Sequence, residues 1–158
     1  MNELERIADQ LKRAFEGNAW HGPSVMEVLN GVTAQQATTR VFPDAHTIWE
    51  LALHIGAWED ACLRRLNGER AELSDVEDWT PVTDTSAAGW EQLKLTLQRG
   101  NETLREAVSR LEERRLDQPI VPGMPSVYIT VQGVVQHDLY HAGQIAILKK
   151  ALKEVRNE

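Results

Sequence analysis

Cysteine is nearly absent from this chain: Cys62 is the only one in 158 residues. No internal disulfide can brace the fold, and a reducing cytoplasm is the expected home. Basic residues are also in short supply, with 17 Lys and Arg against 24 Asp and Glu, a formal charge of −7. A nucleic-acid partner needs Lys and Arg to neutralise its phosphates, so that class is excluded. An anionic membrane surface is disfavoured for the same reason. No apolar run is long enough to span a bilayer. The amino-terminal MNELERIADQLKRAF is amphipathic and acidic from the start, without the basic-then-apolar order of a secretion signal. Repeats, low-complexity segments and strand-like alternation are missing as well. What remains is a soluble, acidic domain, residues 1–158, long enough to bury a real core.

What is present is helical periodicity. Leu4, Ile7, Leu11 and Ala14/Phe15 recur at alternating steps of three and four, which predicts a first helix over about 2–16 ended by Gly17-Asn18. Ser24 can cap a short helix through Leu29, and Thr33 a further turn. Ile48, Leu51, Ile55, Trp58, Cys62 and Leu66 give a second long helix, about 46–67. Residues 69–85 follow as a long acidic connection, with Asp75, Glu77 and Asp78 read as solvated. A connection of that length suits a crossover along a bundle, which would make the second and third long helices parallel. Trp90, Leu93, Leu97, Leu104, Val108 and Leu111 mark the third, about 86–116, with Gly100-Asn101 as a candidate bend. Residues 117–129 contain three prolines and read as a loop. Thr130 is the expected cap of the fourth helix. The fold class is all-α, a four-helix bundle.

The fourth helix carries the chemistry. Over Thr130 to Leu152, Val134, Ile145, Leu148 and Leu152 fall on one face, and His137 and His141 lie in the same stripe one turn apart. Two adjacent buried imidazoles are hard to satisfy with protein groups alone, and a shared divalent ion solves that. A third ligand is then expected, and His54, at the edge of the second helix's stripe, is available. Three histidines leave a position open to water or substrate, as catalytic sites do. Spacing alone leaves a second account standing, in which these are helix histidines satisfied by backbone or water.

Other candidates are weaker in type. His21 sits beside Trp20 in a turn and either overhangs the site or is a surface residue. His46, at a helix start, is expected to face solvent. Glu50, one turn before His54, is a candidate to orient that ring or take a proton from bound water, or else is an exposed carboxylate. Trp20, Trp58, Tyr140 and Gln144 are candidate pocket-lining residues, the last two flanking the His pair. Cys62 is expected to pack, and Asp138, next to His137, to share its face only in part.

The segment HDLYHAGQIAILK, His137 to Lys149, resembles the last helix of the DinB/YfiT-like superfamily. LHIGAWE, Leu53 to Glu59, resembles that family's second-helix histidine region, and WHGPS, Trp20 to Ser24, the segment after its first helix. The resemblance implies an up-down-down-up four-helix bundle with a long connection between the second and third helices. It also implies a metal held by His54, His137 and His141, nickel or zinc, and association as homodimers. Relatives include transferases that use a low-molecular-weight thiol such as bacillithiol or mycothiol, maleylpyruvate isomerases, and proteins described as hydrolases. Three functions are therefore carried forward, each with a small-molecule ligand. They are a thiol S-transferase, a hydrolase acting through metal-bound hydroxide with Glu50 or His21 as base, and a metal- or ligand-binding protein without turnover.

Overall fold

The computed structural model describes residues 1–154. Among them lie α1 (Glu3–Phe15), α2 (Val25–Leu29), α3 (Ala34–Thr38), α4 (Ile48–Leu66), α5 (Asp75–Asp78), α6 (Ala87–Ser109) and α7 (Val127–Glu154), with one 3-10 turn at Glu113–Arg115 and no strand longer than an isolated bridge. The starts of α1 to α5 share one local solution. Asn2, Ser24, Thr33, Thr47 and Ser74 each accept from the backbone three residues on, and the Glu or Gln found there reaches back.

The four long helices form an up-down-down-up bundle. Trp49 packs on Trp90, a Cβ on Gly56 would meet Leu97, and Glu59 bonds Asn101, so α4 and α6 climb together in parallel. α7 opposes α4: Trp58 and Cys62 face Val134 and His137, while α4's first residues share a core with Ile145 and Leu148. α1 opposes α6, with Glu3 bonded to Glu113 and Glu16 to Arg105. The connection from α4 to α6 thus spans the bundle's length, as its size predicts.

The core is divided. One apolar cluster gathers Phe15, Leu29, Ile48, Ile55, Trp90, Leu97, Ile145 and Leu148. The other gathers Leu4, Ile7, Leu11, Cys62, Leu104, Val108, Val127 and Val134. Between them, at one level, lie Glu59 of α4, Asn101 of α6 and Asp138 of α7, together with the histidines.

Three boundaries differ from the sequence reading. α6 ends at Ser109 rather than near Leu116, with Arg110 as its C-cap, and the chain turns through Glu113–Arg115, where Glu113 accepts from the Glu3 amide of α1. Leu111 and Leu116 instead fold back onto the core. α7 starts at Val127, where Ser126 accepts from the Ile129 amide; Thr130 lies inside the helix and donates to the Ser126 carbonyl. The acidic connection is not merely solvated, since α5 forms within it and folds back onto α4.

Candidate metal centre

Burial on α4 and α7 brings His54, His137 and His141 to one point. His137 Nε2 lies 3.0 Å from His54 Nε2 and 3.1 Å from His141 Nε2. One ring nitrogen from each lies within 4.8 Å of the other two. Nitrogens about 2.0–2.1 Å from a common ion are separated by about 3.0–3.4 Å, depending on the angle. The cluster therefore fits a metal ion. His54 and His141 are buried and His137 is partly so.

The far side of each ring determines which nitrogen faces inward. His54 Nδ1 donates to the Asp78 carbonyl at 2.8 Å. His141 Nδ1 donates to Gln144 Oε1 at 2.6 Å. Both rings thus keep an unprotonated Nε2 for the centre, the arrangement that metal-binding imidazoles need. His137 Nδ1 is buried without a hydrogen bond, 3.9 Å from an Asp138 oxygen. Burial disfavours the charged ring in all three, lowering His54 and pushing His137 and His141 down to about 4. At neutral pH all three are ready-made neutral ligands.

The tie through Asp78 was not visible in the connection's composition. Asp78 also takes the Trp58 indole proton at 2.7 Å, and Trp79 beside it is sandwiched between His54, at 4.0 Å, and His46, at 3.5 Å, both within 3° of parallel. Ser74-x-x-Glu77 is a capping-box signal that could have revealed α5. His46 is exposed, as expected of a helix start, but its ring serves as the outer leaf of that stack.

Asp138 shares the face of His137 only in part and is directed to Glu59. It is fully buried, as is Asn101, and Glu59 is only 2% exposed. Asn101 Nδ2 donates to Glu59 Oε1 at 2.6 Å. Glu59 and Asp138 lie against each other, and burial pushes both carboxyls up, Glu59 further because of the Asp138 charge. Glu59 Oε2 and both Asp138 oxygens are buried without a hydrogen-bond partner, so each carboxyl favours its neutral form. The missed signal was spacing: Val131, Val134, Asp138, His141, Ile145 and Leu148 run at steps of three and four, so Asp138 is on the stripe and His137 at its edge.

A cavity of about 300 Å³ opens beside His137. Trp58 and Cys62 of α4, Val134 and His137 of α7, and Ile120 and Met124 of the preceding loop form its walls. Trp58 is thus where a pocket residue was expected. Trp20 and Tyr140 are exposed and Gln144 is turned to His141; none lines this cavity. Glu50 is bonded to the Thr47 amide at 2.7 Å and to Arg40 at 2.8 Å, while His21 lies exposed in its loop. Neither joins the three rings. Cys62 is buried, and its thiol is pushed up to about 12 by that burial.

The family model described as the DinB superfamily matches residues 19–145. The chain belongs to the DinB superfamily. Its helical bundle and three-histidine cluster agree with that membership and with metal binding. No curated protein and no solved structure matches this DinB-superfamily chain. No helix among the described residues is long and apolar enough to cross a membrane.

Proposed function

We propose that His54, His137 and His141 hold a divalent cation, nickel or zinc, through Nε2, and that the protein is a metal-dependent thiol S-transferase. The observation that carries the reading is the convergence of three ring nitrogens from two helices, with the outer nitrogens of two rings already committed to Asp78 and Gln144. A cation held by neutral ligands keeps its charge and lowers the pKa of a thiol or water brought to it.

The remaining chemistry belongs to the chain. His54 is fixed by Asp78 and the Trp79 stack, and His141 by Gln144, so the ligand face is preorganised. The apolar wall keeps water away from a small electrophile beside His137. Among the described residues no carboxylate lines that wall, and Cys62 stays a neutral thiol, so the attacking group is brought to the cation rather than supplied by the chain. An incoming thiol takes that role in the transferase. Its sulfur forms one bond to the electrophilic carbon, the leaving group departs with the electron pair of the bond that breaks, and the thiol proton goes to solvent or to the leaving group.

Metal analysis of the purified protein tests the site: near-stoichiometric ion is expected, lost in His141→Ala, and full retention in that variant removes His141 as a ligand. Consumption of small thiols with monobromobimane tests the reaction. Thiol-independent ester or amide cleavage moves the assignment to a hydrolase, and intact metal with no turnover moves it to a binding role.

A further inference from the structure

The cavity beside His137 has a chemistry that the metal does not explain. Among the described residues its wall contains a single charged side chain, Arg65. Among the described residues Arg65 forms no ion pair. Its Nε donates to the Ala71 carbonyl at 2.8 Å, and its guanidinium carbon lies 5.5 Å over the Trp58 ring. A guanidinium held in place by a neutral carbonyl and an indole, with its charge uncompensated, is a receptor for an anion. That is notable in a chain of net charge −7, where most arginines pair with carboxylates.

The room for a ligand is built into α7. Gly133 lines the cavity from mid-helix, where glycine costs about 1 kcal/mol relative to alanine. A Cβ there would meet nothing within 4 Å, so no packing neighbour requires the glycine. It leaves the space to something else. The cavity's size suits roughly a dozen non-hydrogen atoms. Arg65 is about 16 Å further along α4 than His54, at about 1.5 Å per residue, and the cavity lies between them.

From this we infer that the cavity takes a small organic anion with an apolar body, its carboxylate or equivalent group on Arg65 and its opposite end beside His137. That this molecule is a substrate rests on the metal-enzyme reading; that it binds does not.

The test is calorimetric titration with 4-phenylbutyrate and, as a neutral match, 4-phenyl-1-butanol, on the metal-loaded protein and after metal removal by chelation. One-to-one binding is expected, with the acid favoured by about tenfold or more, a typical margin for a hydrogen bond to a charged group. The preference persists after chelation, when a carboxylate has no ion to bind. Arg65→Gln abolishes the preference and leaves the alcohol's affinity unchanged. Gly133→Leu, which fills the cavity with a better helix former, removes binding of both. Equal affinities in the natural protein, no binding of either probe, a preference that vanishes on chelation, or one that survives Arg65→Gln overturns the inference. Metal content of the same samples keeps the two readings apart. Full metal without acid preference defeats the anion site alone, and acid preference without metal defeats the metal enzyme alone.

Discussion

Gln144 and His141 are three residues apart on one helix, so the carboxamide reaches the ring's outer nitrogen without any tertiary help. Gln144→Leu keeps the helix and removes the acceptor. Metal affinity is expected to fall by about 10- to 100-fold while far-ultraviolet dichroism is unchanged, checked by competition titration against a chelator. Glu59 offers a second test at this scale. Its folded-state pKa is raised, so the folded chain retains a proton that the unfolded chain releases above about 4.3. Stability from this group is therefore present below that value and lost as pH rises. Glu59→Gln preserves an oxygen for Asn101 and no longer titrates. Its unfolding free energy relative to the natural protein is expected to grow as pH rises from 4 to 8, reaching about 1 kcal/mol or more. A difference independent of pH would show that the Glu59 carboxyl is not raised in the folded state.

At the scale of elements, α5 and Trp79 clamp the start of α4. The clamp consists of the Asp78 carbonyl on His54, the Asp78 carboxylate on the Trp58 indole, and an indole between two imidazoles. Trp79→Ala removes both stacked faces, each worth about 0.5–1.5 kcal/mol. A stability loss of about 1–3 kcal/mol is expected, together with weaker metal binding because the His54 ring is freed; Trp79→Phe should recover most of both. Urea denaturation and metal titration on the same preparations check this. Elements also show where periodicity succeeded. The stripes of α1, α4 and α6 are plain because apolar spacing repeats over several turns, whereas the stripe of α7 is interrupted by Asp138 and His141. Ends were harder to place. α6 stops at Ser109, and residues 110–116 carry no glycine or proline that marks this.

For the molecule as a whole, the depressed histidines set the acid limit. His137 and His141 stay neutral in the folded state down to about 4, whereas unfolded imidazoles take up protons below about 6.5. The unfolded state binds more protons across that window, so the stability of the metal-free protein is expected to fall as pH drops from about 6.5 to about 4. Glu59 acts with the opposite sign, so the decline should appear most cleanly in Glu59→Gln. Urea midpoints at several pH values measure it, and added metal should raise the midpoint wherever the rings remain neutral. The same buried layer that holds the histidines splits the apolar core in two.

Local patterns were enough for the helical class, the four long rods and the parallel pair joined by a long connection. Each of these is written in residues close in sequence or in the length of a segment. For the histidines local patterns left two accounts standing, and the folded chain brings the three rings together. The partners of the rings needed the folded chain. Asp78 reaches His54 across 24 residues, Asn101 reaches Glu59 across 42, and the cavity joins Arg65 to His137. A side chain's solvent exposure and neighbours depend on which rods close over it. Charged and polar residues that look solvated along a single helix become buried, as Glu59, Asn101 and Asp138 do, only after the bundle has assembled.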